Sequence, residues 1–99
     1  MSRQVGFAPS AQEQLRQIYT YIADAASPDI ALGFTTDIVD YCDSLTTFPE
    51  RGAQRDDLRP GLRLVGFRRR VVIAFTVDEM AITVLGVFYG GQDYDHAFD

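Results

Sequence analysis

The sequence predicts an α+β protein of order β-α-α-β-β-β, a helical hairpin packed on one face of a small, mainly antiparallel sheet. Two observations carry this reading. Up to Phe48 the apolar residues recur at helical spacing in two blocks separated only by "ASPD", and beyond Arg59 the period falls to two in three runs rich in Val, Ile, Phe and Thr. So short a joint between helices makes them antiparallel neighbours, and helices can cover only one side of so small a sheet.

Each element has its own signals. In "RQVGF", Val5 and Phe7 stand two apart, as in a short strand with one buried face. Ser10 and Glu13 fit a capping box at the start of the first helix, whose stripe is Ala11, Leu15, Ile18, Ile22 and Ala25 or Ala26. Ser27, Pro28 and Asp29 restart the pattern as N-cap, first helical residue and an acid at the positive helix end. Ile30, Phe34, Ile38, Tyr41 or Cys42, and Leu45 form the second stripe, which Pro49 brings to a stop near Phe48. The strands follow as "LRLVGF", "RVVIAFTV" and "AITVLGVFYGG", with "DEM" as the tight turn between the last two. In the central strand Val71, Ile73, Phe75 and Val77 share the helix-covered face, and Arg70, Val72, Ala74 and Thr76 the open one.

Length and composition bound the function. A chain of 99 residues is read as one domain spanning 1–99, with a small core. It contains no apolar run long enough to span a bilayer, and "MSRQVGFAPS" is not a signal peptide, so a soluble, cytoplasmic protein is expected. One cysteine excludes an internal disulfide, and one histidine leaves no zinc spacing, so neither metal nor other cofactor is expected. Cys42, on the apolar side of the second helix, reads as a buried small hydrophobe.

The charge is unevenly distributed. The chain carries a formal charge of −5, yet residues 51–70 hold seven of its nine basic side chains and sum to +5. All nine are arginines, suited to planar, bidentate contacts with carboxylates or phosphates. An acidic whole argues against gripping nucleic acid along much of the surface, and no direct sequence-specific nucleic-acid binding is expected.

Arg59, Arg63 and Arg70 are the first candidate site residues. Antiparallel pairing of "LRLVGF" with "RVVIAFTV" would bring Arg63 and Arg70 onto one sheet face. Either a partner answers that cluster, or Asp56, Asp57, Asp93 and Asp95 pair with it internally. Tyr89, Tyr94 and His96 come next. Near arginines they suit general acid-base cleavage of RNA, and equally a packing tyrosine at a strand end and a solvated tail. No nucleophile elbow, P-loop or dinucleotide fingerprint is present.

"YIADAASPDIALGF", "FPERGAQRDDLRPGLR", "RRRVVIAFTV" and "ITVLGVFYGGQD" together resemble the ParE toxins of type II toxin-antitoxin systems, within the RelE/ParE superfamily. The resemblance runs from about Phe7 to Asp93. It implies a β-α-α-β-β-β toxin held in check by a cognate ParD-like antitoxin, in a hetero-oligomer in which an antitoxin segment folds across the toxin. ParE members act on DNA gyrase, whereas RelE members cut messenger RNA on the ribosome. Arg63 and Arg70 match arginine positions flanking the turn into the central strand. Tyr89 stands where many relatives carry histidine before Gly-Gly, a departure that weakens any histidine-dependent role there.

Ribosome-dependent nucleases dock on ribosomal RNA and are expected to be basic with several lysines; this chain is acidic and has none. The gyrase branch therefore leads. Its rivals are a RelE-type endoribonuclease and a non-toxic antitoxin-binding module, and the antitoxin is expected to meet the Arg63/Arg70 face with an acidic amphipathic segment.

Overall fold

The computed structural model describes residues 3–90. The candidates Tyr94 and His96 and the tail acids Asp93 and Asp95 lie outside the described residues. The elements are β1 (Gln4–Phe7), α1 (Pro9–Ala25), α2 (Pro28–Asp43) with a 3₁₀ turn at Ser44–Thr46, β2 (Ala53–Gln54), β3 (Leu62–Phe67), β4 (Val71–Val77) and β5 (Ala81–Tyr89). They form one sheet of order β1-β5-β4-β3-β2, antiparallel except for the β1–β5 pair. The predicted order and helical hairpin are thus present, with one strand more. A two-residue β2, exposed on both faces, carries no periodic signal.

Helix starts show where local chemistry was and was not decisive. Ser27 Oγ accepts from the Ile30 N–H at 3.1 Å, with Pro28 at the first helical position and Asp29 in the first turn, as expected. The capping box at Ser10 is not formed. Pro9 presets the helical backbone and starts α1 two residues earlier, with Ala8 as an N-cap that makes no side-chain bond. Ser10 Oγ donates instead to the Leu85 carbonyl at 2.8 Å, and Glu13 pairs with Arg16.

The helical stripes are nearly those predicted. Ala11, Ile18 and Ile22 of α1 and Ala31, Ile38 and Cys42 of α2 are buried, with Leu45 below them. Ala25 and Ala26 are exposed because α1 ends there, beyond the sheet. Ile30 is 58% exposed, and its place in the stripe is taken by Ala31, a side chain small enough for close approach of the helices. Val71, Ile73 and Phe75 face the helices as predicted, each at most 1% exposed. Full burial of side chains of this size contributes about 1.5–3 kcal/mol apiece. The opposite face carries its own apolar cluster, with Leu62 and Ala74 fully buried beside Leu64 and Phe88.

A bulge in β5 reshapes that face. Ala74 pairs with Gly86 and Phe75 with Val84, so Leu85 is the extra residue. Before it Ile82 and Val84 face the helices; after it Val87 and Tyr89 do, while Phe88 turns to the far side. Helix α1 satisfies the backbone groups beside the irregularity, through Ser10 at the Leu85 carbonyl and through Gln14 Oε1, which accepts from the Val87 N–H at 2.8 Å. A Cβ on Gly86 would lie 2.6 Å from the Phe88 ring, so glycine is what fits there.

Candidate functional site

The arginine-rich run divides between the two ends of the β3–β4 hairpin. Arg63 is opposite Phe75, and the ladder runs on to Phe67 opposite Val71, about 13 Å further at a strand's rise. Arg70 lies beyond, in the exposed three-residue loop Arg68–Arg70. The predicted Arg63/Arg70 cluster on one face is therefore not formed. Directly opposed residues share a face, so Arg63 stands with Phe75 on the helix-covered side while the alternation puts Arg70 on the other, and the pair fails in face as well as in distance.

At the lower end Arg63 works on the backbone. Its Nε donates to the Arg51 carbonyl at 3.1 Å, and one terminal nitrogen donates to the carbonyls of Glu50 at 2.5 Å and Gly52 at 3.3 Å. These bonds hold the segment between the 3₁₀ turn and β2 against β3. Gly52 itself has φ +82°, and a Cβ there would lie 2.3 Å from the Leu64 carbonyl oxygen. Asp57 forms a bidentate pair with Arg55 at 3.0 Å, which holds its carboxyl below the ordinary range, chiefly through those hydrogen bonds. Asp56 accepts from the Gly61 N–H at 2.8 Å. The two acids expected to answer Arg63 or Arg70 are thus used within their own loop. Arg59 is exposed there, without a side-chain partner among the described residues.

A cleft of about 960 Å³ opens beside this segment, lined by Arg3, Phe48, Glu50, Arg51, Arg63 and Val77 among others. Phe48 is 62% exposed. The Arg51 guanidinium lies 5.2 Å from the ring centroids of both Tyr41 and Phe48 and donates to Ser44 Oγ at 3.1 Å. Arg3 Nε donates to the Asp78 carbonyl. Three cations and one carboxylate around an exposed ring suit an acidic, amphipathic segment, because the ring covers an apolar side chain while the guanidiniums meet carboxylates. Sequence reasoning missed Arg3, Phe48 and Arg51. The available signal was the aromatic before Pro49, beyond the last buried residue of the helical stripe.

From Arg51 a chain of rings runs along the seam between helices and sheet. Tyr41 meets Phe67 at 5.0 Å, Phe67 meets Phe34 at 6.4 Å, and Phe34 and Tyr21 each meet Tyr89 at 5.8 Å. Tyr89 is half-buried in this row, brought there by the bulge, and a second cavity of about 370 Å³ opens between Tyr21, Tyr89, Gln14 and Gln17. Arg68 caps the row, 4.9 Å from the Phe67 ring centroid and 2.8 Å from Asp37.

Among the described residues no group of three or more His, Cys, Asp or Glu side chains is placed to hold a metal ion. Burial pushes the Cys42 thiol up to about 12, with the neighbouring Asp43 charge adding to it, so the group is neutral at physiological pH. No helix among the described residues is long and apolar enough to cross a membrane.

A helical hairpin backed onto a mixed five-stranded sheet, with a basic-aromatic cleft at one end, defines a small α+β domain. The chain belongs to the family of ParE toxins of type II toxin-antitoxin systems, parDE: that family's model matches residues 5–94. A solved structure described as the chromosomal ParDE TA system from P. aeruginosa has the same fold, with a TM-score of 0.77 and 24% identity over 90% of this chain and 97% of that one. No curated protein matches the sequence.

Proposed function

We propose that the protein is the toxin of a type II pair, that a cognate ParD-like antitoxin neutralises it by direct binding in the cytoplasm, and that its target is DNA gyrase. Membership of the ParE family is the observation that carries this reading. The surface chemistry supports it: the Arg3–Arg51–Arg63 cleft with its exposed Phe48 suits the acidic amphipathic segment expected of the antitoxin. The active form inhibits by docking, through contacts rather than bond-breaking of its own, and Arg59, Arg70, Tyr89 and Tyr94 remain candidate contacts with antitoxin or target.

Purified toxin added to a gyrase supercoiling reaction tests the target. Loss of supercoiling and accumulation of cleaved DNA, both relieved by the antitoxin, are expected. Normal supercoiling at large molar excess, with transcripts cut on translating ribosomes instead, would move the protein to the RelE activity. Neither effect, together with normal growth on expression alone, would leave only antitoxin binding.

A further inference from the structure

The β3–β4 loop is built from the wrong residues for its backbone. Arg68 and Arg69 have φ of +52° and +63°, the left-handed region that Asn and Gly occupy readily and other residues seldom do. Two successive arginines there oppose the backbone preference, and strained residues of this kind persist where the surroundings hold them. The surroundings here do so. Arg68 is fixed by Asp37 at 2.8 Å and by the Phe67 ring, the Arg70 N–H donates to the Phe67 carbonyl at 3.3 Å, and the Gly90 N–H donates to the Arg70 carbonyl at 2.8 Å. What the loop presents in return is two further guanidiniums. Arg69 and Arg70 are exposed and have no side-chain partner among the described residues.

The geometry points to this loop as a phosphate-binding finger that contacts the backbone of nucleic acid. Its cations are arginines, whose bidentate fork matches phosphate oxygens as well as carboxylates. Two features favour phosphate over an acidic peptide. The loop is three exposed residues closing a hairpin, so it fits into a groove and offers none of its own. The cleft that suits an acidic peptide lies at the other end of the hairpin. Charge distribution limits the approach: α1 and α2 carry six acidic side chains and one basic, so a polyanion is repelled from the helices and directed to the basic ends of the hairpin, of which this loop is one. Contact through phosphates alone positions the protein without reading sequence. The inference does not depend on gyrase being the target.

Fluorescence anisotropy with a labelled mixed-sequence duplex of about 20 base pairs, without any other protein, tests it between about 25 and 200 mM salt. Wild type is expected to bind at the low-salt end, with a log–log salt slope near −2 for two neutralised phosphates. R69Q/R70Q should lose about tenfold or more in affinity and most of the slope, since those two contacts supply it. R16Q, which removes a positive charge from the helical face, should stay within about twofold of wild type. R69G suits the left-handed backbone and leaves the Arg68–Asp37 pair in place, so it should bind more weakly while melting no lower than wild type. The proposal is overturned by absence of wild-type binding at the lowest salt, by equal binding of wild type and R69Q/R70Q, or by polyglutamate displacing the duplex as well as an unlabelled duplex of equal charge does. The last outcome would assign the loop to acidic peptides. Binding to the bare duplex with no effect on gyrase would sustain the finger and sink the target.

Discussion

Replacing Arg63 by alanine should destabilise the fold whatever it does to a partner. The guanidinium makes three hydrogen bonds to the carbonyls of residues 50–52, of which the one to Arg51 is partly buried and the other two are exposed. A charged hydrogen bond in the partly buried setting contributes about 1.5 kcal/mol, and each exposed one about 0.5 kcal/mol after water replaces it. The expected loss is therefore about 2–3 kcal/mol, or roughly 10–20 °C in Tm for a domain of this size. Lysine keeps the charge and a donor but not the fork, so R63K should fall between wild type and R63A. R59A changes an exposed side chain and should stay within about 0.5 kcal/mol. Urea unfolding followed by circular dichroism measures all three. An R63A midpoint indistinguishable from wild type would refute the stapling role.

Other perturbations probe the rest of the framework. G52A places a Cβ 2.3 Å from the Leu64 oxygen at a left-handed position, and a loss above about 3 kcal/mol, seen as a lower urea midpoint or insoluble expression, is expected. Q14A strips the Val87 N–H of its acceptor beside the bulge; a loss of about 1–3 kcal/mol and faster hydrogen exchange at that amide should follow. Cys42, with its thiol pushed up to about 12, should have a thiolate fraction at pH 8 about three orders of magnitude below that of a free cysteine, so a thiol-reactive chromophore will label it only on unfolding.

Much of this structure could be read from residue order, for physical reasons that also mark where reading stopped. The Ser27–Pro28 joint and the alternation from Val71 to Val77 were legible because cap chemistry and strand pleat are local. Ser10 misled because two local signals competed, and the fixed backbone of Pro9 outweighed a hydroxyl that had a better acceptor in β5. The Leu85 bulge is a tertiary event, hinted at only by Gly86, and it decides that Tyr89 rather than Phe88 joins the aromatic row. The candidate surface was least legible of all. Arg51 and Arg63 are close in space because a loop folds back on β3, and Arg63 and Arg70 are separated both by strand length and by the strand register, which sets Arg63 on the helix side with Phe75.

The parallel pairing of β1 with β5 fixes the order of assembly. Residues 4–7 are synthesised well before the strands of the hairpin, yet their ladder partners are residues 81–84. The helical hairpin and the β3–β4 hairpin close short loops and can form early, whereas this pairing carries the entropy of closing nearly the whole chain. A nascent chain that stops short of β5 has an unpaired first strand, idle side chains at Ser10 and Gln14, and an aromatic row broken between Tyr21 and Phe34. The seam at Tyr89 thus closes late, and a product of translation that stops before β5 lacks it altogether.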